Sequence, residues 1–153
     1  MQCPRCGAEI RSGRFRGVEV SRCAACCGVL VELRYNVPFL DRLVDELATE
    51  VDLETPIDPI PGPHGVATCP RCARGMERFG YLGTNTVMLD RCSPCLLIWH
   101  DGEELGTTAA LHARTTRRQD ARMREHWKRV AQLNDRAHLV LLAQSTVANR
   151  ITF

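Results

Sequence analysis

The sequence predicts a small metal-stabilised α+β fold: two zinc-bound four-cysteine β-hairpin units, a short linker helix and a long C-terminal helix. Three observations carry this reading. Eight of the nine cysteines form four Cys-x-x-Cys pairs: Cys3/Cys6, Cys23/Cys26, Cys69/Cys72 and Cys92/Cys95. The pairs repeat as a block. Cys3-Pro4-Arg5-Cys6 returns as Cys69-Pro70-Arg71-Cys72, and Arg22-Cys23-Ala24-Ala25-Cys26 returns as Arg91-Cys92-Ser93-Pro94-Cys95. Beyond about Thr116, apolar residues recur at helical spacing.

The first unit is read over 1–35. Two thiolates on one tight turn reach the same zinc ion at about 2.3 Å, and a second such turn completes a tetrahedron. Sixteen residues separate Cys6 from Cys23, an interval suited to a four-cysteine zinc site. Gly13 and Gly17 supply turns, and Val18-Glu19-Val20 alternates as a returning strand should. A unit of about 35 residues lies below the size at which a chain folds without metal or disulfides. Zinc then contributes folding energy on the order of 10 kcal/mol per site. Disulfides are the competing reading, disfavoured by the regular pairing and by a reducing compartment. A thioredoxin-like redox pair needs a βαβ setting that this sequence does not show. Cys27, the ninth cysteine, is an accessory thiol: an alternative zinc ligand or redox-sensitive group, or a small inert residue in a glycine-like slot.

Residues 36–68 join the units. Asn36 is a candidate helix cap and Pro38 suits a first turn. Phe39, Leu40, Leu43, Val44 and Leu47 follow at helical spacing, which predicts an amphipathic helix over about Pro38–Glu50 packed on the first unit. Pro56, Pro59, Pro61 and Pro63 then make an extended linker.

The second unit is read over 69–105. Nineteen residues separate Cys72 from Cys92, so the internal offset of 66 grows to 69 across a longer hairpin. Gly80 and Gly83 turn the chain and Val87-Met88-Leu89 brings it back. Asp101 and Glu104, three apart before Leu105, have the spacing of a helix-capping pair.

Residues 106–153 are the C-terminal helical region. Met123, Trp127, Val130/Ala131, Asn134, Ala137/His138 and Leu141 form one face, and Leu139–Ala143 is apolar almost all round. That apolar end calls for cover by the protein's own units, by a second copy, or by another macromolecule.

A family resemblance follows from these residues. Cys-Pro-x-Cys, a hairpin, Cys-x-x-Cys, an aromatic and an acidic-Glu-Leu tail resemble the transcription factor IIB-type zinc ribbon found in many bacterial proteins. Cys69, Cys72, Met76, Asp90, Cys92, Cys95, Trp99, Asp101, Glu104 and Leu105 match it in the second unit. Cys3, Cys6, Gly7, Val18, Val20, Cys23, Cys26 and Gly28 match it in the first, where Leu30 replaces the tryptophan. The resemblance implies two ribbon copies and two zinc ions, held by Cys3, Cys6, Cys23 and Cys26 and by Cys69, Cys72, Cys92 and Cys95.

Charge and composition narrow the function. The formal balance of +2 counts thiols as neutral. Two four-thiolate zinc sites bring the total to about −2. Only 106–153, with nine basic and three acidic residues, is strongly basic. Met1-Gln2-Cys3-Pro4 carries no secretory segment, and the run Ala137–Ala143 is far shorter than the ~20 residues of a membrane span. A cytoplasmic protein without membrane partners is expected. Four-cysteine sites leave no open coordination position, and no Ser/His/Asp order, phosphate loop or His-Glu-x-x-His motif stands in the sequence, so no enzyme is expected. The expected role is zinc-stabilised binding of a protein partner, or self-association through the C-terminal helix. The alternative is a nucleic-acid-binding regulator.

Overall fold

The computed structural model describes residues 1–47, 57–60 and 65–148, with the side chains of 134, 135 and 137–148 outside the described set. Two compact units result, Met1–Arg114 and Thr115–Phe153. The first contains a six-stranded antiparallel sheet. Its strands are β1 (Ile10–Phe15), β2 (Val18–Cys23), β3 (Val29–Glu32), β4 (Glu77–Gly80), β5 (Met88–Cys92) and β6 (Leu97–His100). They lie side by side in the order β1-β2-β3-β6-β5-β4. Together with two four-cysteine clusters, a short helix and a long C-terminal helix, this makes a small metal-stabilised α+β fold.

The first hairpin reverses at Gly17 as expected, whereas Gly13, also expected at a turn, lies inside β1 opposite Val20. Arg16 and Gly17 take positive φ between β1 and β2, the tight reversal that a right-handed strand twist favours. The short strands after each second knuckle are not foreseen by the sequence pattern. β3 and β6 run antiparallel with Leu30 opposite Trp99 and Val31 opposite Ile98. They join both four-cysteine halves into one sheet. At the offset of 69, Leu30 and Trp99 are equivalent positions, so the two halves meet at like places.

Side chains alternate across this sheet. On one face Leu30, Leu97 and Trp99 pack with Ile10, Met76 and the buried cysteines Cys3, Cys23, Cys69 and Cys92. On the other, Val29, Val31 and Ile98 pack with Val18, Leu89, Tyr81, Phe39 and Leu40. The last two belong to α1 (Asn36–Glu46). Phe39 lies edge-on to Phe15, with ring centroids 5.8 Å apart, so the expected packing of this helix on the first half is observed. The helix ends at Glu46 with Leu47 as its C-cap, short of the expected end near Glu50, and residues 48–50 lie outside the described set. So does most of the proline-rich linker, apart from residues 57–60, where Ile60 N–H donates to the Thr86 carbonyl at 3.1 Å.

Asn36 does not cap α1. It is the first helical residue, and no side chain caps the helix. Its Oδ1 instead accepts from His100 Nε2 at 2.7 Å. A buried imidazole has few alternative partners, which gives this bond priority over a solvent-reachable backbone N–H. Burial pushes the His100 imidazole down to about 4, with Asp101 pulling the other way. The unfolded chain holds it near 6.5 and binds the proton first. Stability is therefore full above about pH 6.5 and falls as pH drops toward 4. His100→Gln retains an amide donor for Asn36 and removes the titration. Relative to that variant, the wild type is expected to lose about 2 kcal/mol between pH 7 and pH 5, read from denaturant midpoints.

The C-terminal helix α2 spans Leu105–Ala148 and starts well before Thr116. Its first turns carry small and polar buried residues, Thr108, Ala109, His112 and Ala113, which give little hydrophobic periodicity. Tyr81 Oη, His112 Nδ1, His112 Nε2 and Asp41 Oδ1 form a chain of two 2.8 Å bonds that fastens this start to α1. Burial, with Asp41 nearby, pushes the Tyr81 phenol up to about 12, so the hydroxyl keeps its proton as a donor. In the second unit, Met123, Trp127 and Leu133 are exposed. Among the described residues no helix is long and apolar enough to cross a membrane.

Candidate functional site

Both ends of the sheet carry cysteine knuckles built by the same backbone bonds. Cys3 N–H donates to Ala8 O at 2.7 Å and Gly7 N–H to Cys3 O at 3.1 Å. In the second half Cys69 N–H donates to Arg74 O at 2.8 Å and Ala73 N–H to Cys69 O at 2.9 Å. The residue after each cysteine pair is left-handed in every knuckle: Gly7 (φ 72°), Cys27 (φ 59°), Ala73 (φ 56°) and Leu96 (φ 54°). Glycine adopts this backbone freely and other residues pay about 1 kcal/mol or more for it. The glycine-like slot expected for Cys27 is thus a backbone property shared by all four turns.

The knuckles bring Cys3, Cys6, Cys23 and Cys26 together, and separately Cys69, Cys72, Cys92 and Cys95, with the sulfur atoms of each group within 4.8 Å of one another. Cys3 and Cys26 sulfurs lie 3.5 Å apart, Cys6 and Cys23 3.5 Å, and Cys72 and Cys92 3.7 Å. Thiolates at about 2.3 Å from a zinc ion in a tetrahedron stand about 3.8 Å apart. The donor sets therefore fit zinc, and both sites could hold a metal ion. Cys27 is exposed and outside the first group; its sulfur lies 3.7 Å from Arg22 Nη2.

The electrostatics also call for a cation. Backbone N–H groups of Cys26 and Ala25 draw the Cys23 thiol down to about 6, and that of Arg74 draws Cys72 down to about 7. Burial pushes the Cys26 and Cys95 thiols up to about 12, reinforced by the sulfur neighbours. Each group thus ionises readily at one sulfur and resists at another. A metal ion removes the conflict by binding all four as thiolates.

Between the two centres runs an ion network that the spacing of Asp101 and Glu104 did not reveal. Arg5, inside the first knuckle, donates from Nε to Asp101 Oδ1 at 3.0 Å and from Nη2 to Asp101 Oδ2 at 3.0 Å. It also pairs with Asp90, and its Nη1 reaches Gly65 O at 3.1 Å. Asp101 additionally accepts from Trp99 Nε1 at 2.8 Å. These donors occupy the carboxylate that was expected to cap a helix, and no side chain caps the turn at Gly102–Glu104. Charged donors make stronger bonds than a backbone N–H. Arg78 pairs with Asp90 at 3.3 Å across β4 and β5.

The equivalent positions in the first half repeat this scheme with weaker groups. Arg71, the counterpart of Arg5, lies 3.7 Å from Glu32, the counterpart of Asp101. Ser12 and Ser21, the counterparts of Arg78 and Asp90, bond at 3.0 Å. Tyr35 stands where the second half has Glu104. Glu104 is 1 % exposed. Burial, then the Asp101 charge, pushes its carboxyl up to about 7 against the pull of Arg78 and Arg5.

A family model described as a transcription factor zinc-finger, of the TFIIB zinc-ribbon type, matches residues 2–34. The match covers the first four-cysteine unit; the structure adds a second cluster outside it. No curated protein and no solved structure matched the chain.

Proposed function

We propose that this chain is a zinc-binding interaction module. Residues 69–105 are a second copy of the ribbon matched at 2–34, each copy holds one zinc ion in a structural role, and α2 binds a protein partner or a second copy of the chain. The observation that carries the binding role is on α2. Met123 and Trp127, one turn apart on one face, are 55 % and 61 % exposed. Large apolar side chains grouped this way mark interaction surfaces more often than isolated ones do. The sites themselves support a structural metal, because four cysteines leave no coordination position for a substrate or water. Nine cysteines without a disulfide fit a reducing compartment such as the cytoplasm.

Native mass spectrometry of the full zinc-loaded chain tests this reading. Two zinc ions per chain are expected, together with a dimer or a retained protein partner that Trp127→Asp releases. A monomer that captures no partner, or binding unaltered by Trp127→Asp, overturns the interaction role. Turnover abolished by zinc-site substitutions in a chain that stays folded would replace it with an enzyme.

A second reading rests on charge. Arg118, Arg122, Arg124, Arg129 and Arg136 are exposed on α2, within the segment that carries nine basic and three acidic residues. A nucleic-acid-binding regulator would retain DNA or RNA at low salt and lose it steeply as salt rises. Absence of retention at low salt removes this reading.

A further inference from the structure

Beside the Arg5 network lies a cavity of about 220 Å³, walled by Arg5, Asp101, Glu103, Glu104 and Ile60 among others. Both carboxylate oxygens of Glu104 are buried and have no hydrogen-bond partner. A buried acid normally finds donors, and leaving one without them costs several kcal/mol on the order of a lost charge-assisted bond. Among the described residues, the two neighbouring guanidinium groups are engaged elsewhere. Arg5 is committed to Asp101, Asp90 and Gly65, and Arg78 pairs with Asp90. Among the described residues three carboxylates thus face two guanidinium groups, and the exposed Glu103 at the cavity adds a fourth acid. The fold does not demand the acid, since the equivalent position in the first half is Tyr35.

We propose that this cavity binds an organic cation bearing N–H donors, an alkylammonium or guanidinium group, with Glu104 as its counter-ion. The volume suits the head of one basic side chain or a small amine and is below that of an ordinary drug-sized pocket. A hard metal ion is the poorer fit. The Asp90 and Asp101 oxygens are already taken by arginines, and among the described residues only the two cysteine groups bring three or more ligand atoms within 4.8 Å. Ammonium and guanidinium groups supply directed N–H donors to a carboxylate, which is what Glu104 lacks. The proposal does not rest on what the exposed face of α2 around Met123 and Trp127 binds.

The test uses the full zinc-loaded chain with ¹³C-labelled glutamate, titrated at constant ionic strength and pH 8. The probes are methylguanidinium, n-propylammonium, tetramethylammonium and potassium chlorides. The expected result is a saturable shift of the Glu104 carboxyl resonance with the first two salts, at least tenfold weaker with tetramethylammonium, which has no N–H. Glu104→Gln should abolish saturable binding at unchanged zinc content, and Glu103→Gln should weaken it less. Tighter binding of capped Gly-Lys-Gly or Gly-Arg-Gly peptides assigns the site to a basic side chain of a protein; tighter binding of the free amines assigns it to a small molecule. Equal responses to all four salts, no saturable shift, or full binding by Glu104→Gln would overturn the proposal. The comparison among salts uses the unaltered protein, so its outcome does not depend on how the variants fold.

Discussion

Chelating the metal is expected to melt both halves of the sheet in one transition. Cys3 and Cys23 of the first centre share an apolar cluster with Cys69 and Cys92 of the second, and Leu30, Leu97 and Trp99 lie between them. A structural zinc ion held by four cysteines contributes on the order of 10 kcal/mol, comparable to the whole net stability of about 5–15 kcal/mol of an ordinary domain. No hydrophobic reserve replaces such a contribution in so small a core. Far-UV circular dichroism and amide spectra during addition of a strong zinc chelator should show β1–β2 and β4–β5 resonances collapsing together. Cys92→Ser should produce the same loss at the distant first hairpin. Persistence of either hairpin after metal removal would show that the centres stabilise separate units.

The second large effect is expected at Trp99. Its side chain is fully buried, its Nε1 bonds Asp101 at 2.8 Å, and its ring lies on Gly28. Trp99→Ala removes the largest side chain of the shared cluster and leaves Asp101 without one donor, for an expected loss of about 3–5 kcal/mol. Gly28→Ala attacks the same contact from the other side. A Cβ there would stand 2.1 Å from Trp99 Cζ2, an overlap that forces the indole or β3 to move at a cost of about 1–3 kcal/mol or more. In Trp99→Leu the space opens, so Gly28→Ala should cost much less in that background. Denaturant midpoints of the four proteins measure this non-additivity. Additive losses would mean that Gly28 matters for its backbone and not for the indole.

The two cysteine clusters were legible because the paired spacing is local and survives any tertiary arrangement. The amphipathic α1 and the hairpins were legible for a similar reason: their signals lie within one or two turns of chain. Strands β3 and β6 were not, because three apolar residues after a knuckle read alike as strand, loop or helix start. Their pairing is decided by a partner about 70 residues away. Asp101 and Glu104 misled in the same manner. Their spacing is that of a cap, yet Arg5 lies 96 residues from Asp101 in sequence and takes the carboxylate. The start of α2 was missed because Ala109 and Ala113 bury little area, while the Tyr81–His112–Asp41 chain that anchors it has no periodic signature.

The pairing of Leu30 with Trp99 has a consequence for how the two halves can differ. Residues at like positions facing each other across antiparallel strands define a pseudo-twofold axis. In a symmetric dimer of single units, that axis would force the same side chain onto both sides, tryptophan against tryptophan. Two halves in one chain escape the constraint. One side keeps the indole that fills the shared core, and the other carries the smaller leucine that leaves room for it. The same freedom lets Arg78 and Asp90 take the places that Ser12 and Ser21 hold in the first half, and lets an acid occupy the place held there by Tyr35. Two unequal halves in one chain can thus place the core-filling indole and the buried charges together in one half, which identical subunits cannot do.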